Sequence, residues 1–452
     1  MEVLEEGTCD KETRDYSKDN LVGLVFRRNV FLLGLFVLAV ITLVSCLTTS
    51  VSNASGFALY TSGAAELAQC GSVIAHTQGA ASNYYNPALL PELEGTRIEA
   101  GTIPLWVSAD FTSEATGRKT SMESNTFYPF TLFITHKINE RFSAGLGVNS
   151  TFGLGTEWPD DWEGRYIATE SDLETLNINP NLAWKVSDNV VLAAGLNILF
   201  GDTACEQKID PLLLDPALPD GNSKMTGDGE GYGYNLGLFY KVSDDVAFGI
   251  SYRSGITLKL KGDVKWTQPG AGVLLDTGAT VDLDLPAQCF AGVSYRPSEN
   301  MIVEIGGKWE GWSSYKNVTI KADQVIPLWG NNENKITKNW KDVYGFNMGV
   351  RYNIDPTLSV AAGYLHEGNP VPSETFEPSV PVSDRDDFSF GVQKISGKFK
   401  VTLAYLYDKY ESRNKNNRVS GYSATGITAN GKYEQHVHMV GPWGMLFRKT
   451  ET

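Results

Sequence analysis

The chain is poor in cysteine, poor in positive charge, and free of catalytic signatures. Five cysteines in 452 residues do not make a disulfide framework, and none has metal-ligand spacing. Lys and Arg number 38 against 53 Asp and Glu, a net charge of −15. That balance excludes nucleic acid as a partner, because phosphate binding needs a basic surface. No G-x-S-x-G elbow, P-loop or dinucleotide fingerprint is present. His436 and His438 share a strand face without a third ligand. The sequence therefore gives no reason to expect an enzyme, a cofactor or a metal. After residue 47 no apolar run is long enough for a helical membrane span.

What the chain does have begins with a leader. Arg27 and Arg28 precede "VFLLGLFVLAVITLVSCL" (30–47) and "TTSVSNA" (48–54). A basic step, an apolar core and a small-residue exit predict a signal peptide over 1–54, with Ser52 and Ala54 at the −3 and −1 positions. A membrane anchor, or a lipidated Cys46 in "LVSC" (43–46), would use the same stretch differently. Cleavage after Ala54 leaves Cys70, Cys205 and Cys289.

From residue 96 the dominant signal has period 2. In 232–240, Tyr232, Tyr234, Leu236, Leu238 and Tyr240 alternate with Gly233, Asn235, Gly237 and Phe239. Runs 190–200, 344–352 and 399–407 behave alike. Their second face holds Gly, Ser, Asn, Lys and Arg, while Tyr and Trp gather near the ends of the apolar face. That pattern fits a barrel with lipid outside and water inside. Alternation alone does not distinguish it from a sandwich, but turn spacing does. Short turns at 138–141, 186–190, 242–246, 297–300, 353–357 and 395–398 alternate with long polar stretches. Six hairpins plus a first strand (96–111) and a last (431–447) predict an all-β, 14-stranded antiparallel transmembrane barrel over 96–452. Closure leaves no strand edge in lipid.

Residues 55–95 break this rhythm. The stretch is rich in Ala and Gly, with brief helical spacing and a stop at Pro87. Fourteen strands enclose more space than wall side chains fill, so 55–95 is expected to plug the lumen. In "NYYNPALL" (83–90), Asn86 can cap, Pro87 suits the first helical position, and Ala88 continues the turn. Tyr84 and Tyr85 are expected to pack beside that corner. A periplasmic extension is the alternative.

"SNYYNPALL" after a small-residue stretch resembles the N-terminal hatch of the FadL/TodX family of outer-membrane transporters for long-chain fatty acids and aromatic hydrocarbons. "TEWPDDWEGRY" (156–166), "GYGYNLGLFYKV" (231–242), "GWSSY" (311–315), "NWKDVYGFNMGVRY" (339–352) and "PVPSETFEPSVPVSDRD" (370–386) extend the likeness over nearly the whole mature chain. The resemblance implies a passive, monomeric carrier in the Gram-negative outer membrane. Its partners would be a hydrophobic small molecule and membrane lipid. Substrate would be caught among extracellular loops, held in a pocket, and released sideways after a hatch movement. The mature N-terminus would reach the pocket, placing Phe57 and Leu59 there. A kink in the third strand would open the wall, with Gly153 and Gly155 as its residues. Lys208, Lys316 and Lys321 are the expected head-group cations, and Arg165 is expected to pair with the acids beside it. Trp158, Trp162, Trp309, Trp312 and Trp329 would line a capture groove or mark the membrane interface. Uptake of aromatic or alkane hydrocarbons, or a general porin, are the alternative functions. The ending "HVHMVGPWGMLFRKTET" (436–452) departs from the family. Phe447 could be the terminal aromatic, but Pro442 stands where a ladder donor is expected.

Overall fold

The computed structural model describes residues 56–60 and 62–448, without the side chains of 442–448. The expected leader, its Ser52–Ala54 exit, Cys46 and the Phe447 side chain lie outside the described residues.

Strands joined across short breaks form fourteen successive passes. They are β1 (Thr96–Thr102 and Leu105–Ser113), β2 (Lys119–Ser121, Asn125–Phe127 and Phe130–Lys137), β3 (Phe142–Asn149 and Gly153–Glu157), β4 (Glu170–Lys185), β5 (Val190–Ile209) and β6 (Gly221–Lys241). Then come β7 (Val246–Arg253 and Ile256–Gln268), β8 (Gly272–Leu285 and Gln288–Ser298), β9 (Met301–Glu310 and Asn317–Ile326) and β10 (Asn331–Thr337 and Val343–Asp355). The last are β11 (Leu358–Glu367), β12 (Arg385–Ser396), β13 (Phe399–Tyr410 and Arg413–Lys415) and β14 (Gly431–Arg448). Each pass pairs antiparallel with the next, and β14 returns to β1 with Ala100 opposite Gly444. The ring closes on itself, so most of its backbone donors and acceptors are satisfied within the sheet.

The period-2 pattern sorts as its chemistry requires. Leu192, Leu196 and Phe200 of β5 and Phe399, Val401 and Leu403 of β13 point outward and are exposed. Asn177, Asn179, Asn197 and Asn235 point inward and are buried. They bond to one another; Asn179 Nδ2, for example, donates to Asn235 Oδ1 at 2.7 Å. An apolar outside and a hydrogen-bonded polar inside invert the usual soluble arrangement.

Pro442 does not break the last pass. It stands opposite Leu403 of β13. On its other side β1 is itself interrupted between Thr102 and Leu105, and there Val440 N bonds Pro104 O at 3.0 Å. A residue without an N–H is tolerated where the ladder already pauses.

Residues 62–93 pack inside the ring. They form α1 (Ala64–Leu67), α2 (Ser82–Tyr85) and a 3₁₀ turn, Pro87–Glu92. The contact with the wall is close: a Cβ at Gly249 of β7 would lie 2.0 Å from Ile74 O. Only glycine admits such an approach. Glu304 of β9 crosses the interior and accepts hydrogen bonds from Ile74 N at 2.6 Å and Ala75 N at 2.9 Å.

Candidate functional site

The Asn86 corner is built as its residue types suggest. Asn86 Oδ1 accepts from Ala88 N at 3.1 Å, and Pro87 opens the turn. Asn86 Nδ2 donates to Ile74 O at 2.8 Å and to Leu238 O of β6 at 3.0 Å. One amide thus caps a turn, closes the inner segment on itself and ties it to the wall. The two tyrosines reach further than packing. Tyr84 and Tyr85 meet edge to face, centroids 5.0 Å apart. Their hydroxyls donate to Leu59 O at 3.4 Å and Tyr60 O at 3.1 Å. "NYYN" therefore ties down Leu59 and Tyr60.

Residues 57–59 lie along a broken strand. β3 is interrupted between Asn149 and Gly153. Leu59 N donates to Thr151 O at 2.9 Å, Gly153 N donates to Phe57 O at 3.0 Å, and Ala58 bridges Phe152. The upper part of β3, Gly153–Glu157, pairs with β4. Among the described residues it has no ladder to β2, which is itself broken at Tyr128 and Pro129. A gap in the wall results. The break precedes the two glycines expected to form it. They serve close approach instead: a Cβ at Gly153 would lie 2.8 Å from Leu59, and one at Gly155 would lie 1.9 Å from the Phe127 ring.

Two cavities meet at Phe57. The lower, about 720 Å³, runs from Tyr60, Leu67 and Tyr410 inside the ring to Tyr128, Leu176 and Phe200 on its outer face. It crosses the wall at the gap. The upper, about 660 Å³, lies beneath the long loops among Leu260, Val281, Leu283, Tyr315, Trp329 and Tyr422. Phe57, Leu154 and Leu173 line both. Phe57 is 6 % exposed, with its ring edge-on to Trp312, Tyr315 and Trp340. Leu59 lines the lower cavity.

The expected cations are elsewhere. Lys208 pairs with Asp160 at 2.9 Å and lines neither cavity. Lys316 and Lys321 are exposed. In Asn317–Ile326 the inward face belongs to Ile320 and Ala322, which are buried, so strand alternation turns Lys321 away. The cations that do line the cavities are Lys338 above and Arg385 below. Lys338 pairs with Glu377. Arg385 is shared among Glu367 (2.8 Å), Asp408 (3.4 Å) and Asp387 (3.5 Å). Glu367 also pairs with Lys308, whose ammonium lies 3.6 Å from the Tyr60 ring centroid. Arg165 pairs with Asp220 of the β5–β6 connection at 2.6 Å, not with the acids beside it in sequence.

The tryptophans divide between loop packing and the cavities. Trp158 and Trp162 stack at 4.5 Å and, with Phe111 and Tyr433, form a loop core. Trp312 packs on Phe57, and Trp329 lines the upper cavity, its Nε1 donating to Tyr422 Oη at 2.8 Å. Trp309 donates to Asp342 at 3.3 Å. Sequence reasoning missed Trp340, Tyr315, Lys338 and Arg385 as site residues. Three of them fall in or beside "GWSSY" and "NWKDVYGF", where clustered aromatics were the available signal.

The architecture has solved counterparts. A Pseudomonas aeruginosa FadL homologue superposes with a TM-score of 0.77 at 17% identity, covering 87% of this chain and 99% of that one. The Pseudomonas putida toluene transporter TodX gives 0.69 at 17%, covering 85% and 98%. In sequence, the chain is 24% identical over 342 residues to a long-chain fatty acid transport protein of Escherichia coli O6:H1, covering 68% of this chain and 76% of that one. It is 26% identical over 329 residues to a 47 kDa outer membrane protein of Pasteurella multocida, covering 68% and 75%. The model of the family described as outer membrane protein transport protein (OMPP1/FadL/TodX) matches residues 44–441. The chain is an outer-membrane β-barrel and belongs to that family.

Proposed function

We propose that this chain carries hydrophobic molecules, foremost long-chain fatty acids, inward across the outer membrane without an energy source. The molecule is caught in the upper cavity, passes Phe57, enters the lower cavity and leaves sideways between β2 and β3. Residues 56–93 act as a hatch, with Phe57 and Leu59 touching substrate and Asn86, Pro87 and Ala88 holding the hatch to the wall. The observation that carries this reading is the lining of the lower cavity, which includes both inward residues and the outward Leu176 and Phe200. An apolar molecule leaving there meets lipid rather than water, which its transfer free energy favours. The relatives named for long-chain fatty acid transport support the substrate class.

Hydrocarbons are a second reading, favoured by one observation. Lys338 and Arg385, the cations that line the cavities, are both already paired with carboxylates. A head group must compete for them, whereas a hydrocarbon need not. The test is uptake of labelled hexadecanoate and hexadecane by cells with and without the protein, together with a chain lacking residues 55–60. Protein-dependent uptake, with retention altered by the deletion while the barrel still assembles, is the expected result. Uptake equal to that of cells lacking the protein would refute transport.

A further inference from the structure

The charges along the lower cavity are almost all of one sign. At its outer end stand Glu174, Asp202 and Asp228. Glu174 faces Asp202 in the β4–β5 register, and Asp202 faces Asp228 in the β5–β6 register. Three exposed carboxylates therefore stand side by side across three strands, one outward position above Leu176 and Phe200. None makes an ion pair among the described residues. Lys261 opposes Asp228 across the next register but is not part of the cavity. Like charges placed directly opposite one another destabilise a sheet.

The inner end repeats the sign. Asp387 and Asp408 line it, 3 % and 1 % exposed, and both lie within ion-pair distance of Arg385. The cation there, Arg385, is already divided among three carboxylates. From mouth to inner end the passage offers acceptor oxygens and negative charge, with no uncommitted cation among the described residues. An ionised carboxylate can accept from neutral donors of the lining such as Tyr128, Thr126, Ser150 and Gln435, but the like charges repel it. A hydroxyl, or a protonated carboxyl, can donate to Asp387 or Asp408.

We infer that the lower cavity and its lateral mouth are a charge filter that passes uncharged amphiphiles and refuses carboxylates. Glu174, Asp202 and Asp228 set this selectivity at the mouth. A fatty acid then leaves in its protonated form, and a long-chain alcohol is the better-matched passenger. The inference rests on the sideways exit proposed above.

The experiment compares hexadecanol and hexadecanoate, equal in chain length, for uptake by cells carrying the full chain. Because three like charges act on one passing anion, Glu174→Gln/Asp202→Asn/Asp228→Asn should raise acid uptake relative to alcohol by about fivefold. The milder Asp202→Asn, at the middle of the row, should raise the same ratio about twofold, which covers the case in which the triple variant fails to assemble. An unchanged ratio in the variants, with both compounds still carried, would overturn the filter and leave transport standing. Neither compound entering faster than in cells without the protein would overturn the transport reading, and the filter with it.

Discussion

The Phe57 ring stands edge-on to that of Trp312, centroids 4.8 Å apart, where the upper and lower cavities meet. Trp340 and Tyr315 hold two further edge contacts, at 5.7 Å and 5.9 Å. Aromatic pairs of this geometry are worth about 0.5–1.5 kcal/mol each beyond their buried area. Residues 57–59 are thereby clamped into the path between the cavities, and the backbone bonds of Leu59 to Thr151 and of Phe57 to Gly153 of the broken strand hold them there. Phe57→Ala should join the two spaces and speed dissociation of a bound fluorescent fatty acid by about tenfold, the effect of roughly one such contact. Phe57→Leu should lie between. Stopped-flow displacement measures this, and equal rates for all three proteins would remove Phe57 from the path.

Gly155 tests the gap separately from the pocket. A Cβ there meets the Phe127 ring at 1.9 Å, so a larger residue must fill space between β2 and β3. Overpacking of this kind costs about 1–3 kcal/mol. Gly155→Val should cut uptake by about tenfold while equilibrium binding of the same ligand, read by fluorescence, changes less than about twofold. Loss of binding in step with uptake would show that the position serves the pocket, not the exit.

Much of the fold could be read from the sequence because a membrane barrel imposes simple rules. Leu192, Leu196 and Phe200 had to share a face, and Asn197 had to oppose them. The tight turns at 138–141 and 242–246 were readable from their short polar spacing. The corner at Asn86 was readable because an Asn cap followed by Pro is a local device. The head-group cations were not. Whether Lys321 or Lys338 faces a cavity depends on which residues of the 313–340 stretch form strands and on their parity, and a one-residue difference reverses the face. Arg385 was hidden for another reason: its partners Glu367 and Asp408 come from neighbouring passes and become adjacent only after the ring closes. The ladder missing between β2 and the upper part of β3 was equally invisible, since it is an absence of pairing between segments that each look like strands.

Lys338 and its acid give a direct comparison of cation assignments. Removing Lys338 alone would strand the Glu377 carboxylate, and breaking a buried pair costs about 3–5 kcal/mol. The neutral double variant Lys338→Met/Glu377→Gln avoids that. It should weaken hexadecanoate binding by about tenfold, the loss of one charge-assisted bond, and leave hexadecane binding within about twofold. Lys316→Ala and Lys321→Ala, at exposed positions, should each change either affinity by less than about twofold. The reverse order, measured by ligand displacement, would return the head group to the exposed lysines.

Glu66 makes the seating of the inner segment depend on pH. It lies in α1, fully buried, and neither carboxylate oxygen has a hydrogen-bond partner. Glu99 of β1 adds negative charge, while Lys400 of β13 and Arg351 of β10 offset it; the Tyr85 hydroxyl also feels the carboxyl. Burial first, and Glu99 second, push the Glu66 carboxyl up to about 8 from 4.5. The seated segment therefore keeps this proton over a window in which the released segment loses it. The stabilisation is complete below the ordinary carboxylate range, declines as pH rises, and is gone above about 8. Hydrogen exchange of residues 64–93, corrected for intrinsic rates, should show protection falling by about tenfold or more between pH 6 and pH 9, since one pKa unit is tenfold in the opening equilibrium. Glu66→Gln keeps the shape without the charge and should flatten that slope while the barrel strands stay equally protected. A slope unchanged by the substitution would place the pH dependence in another group.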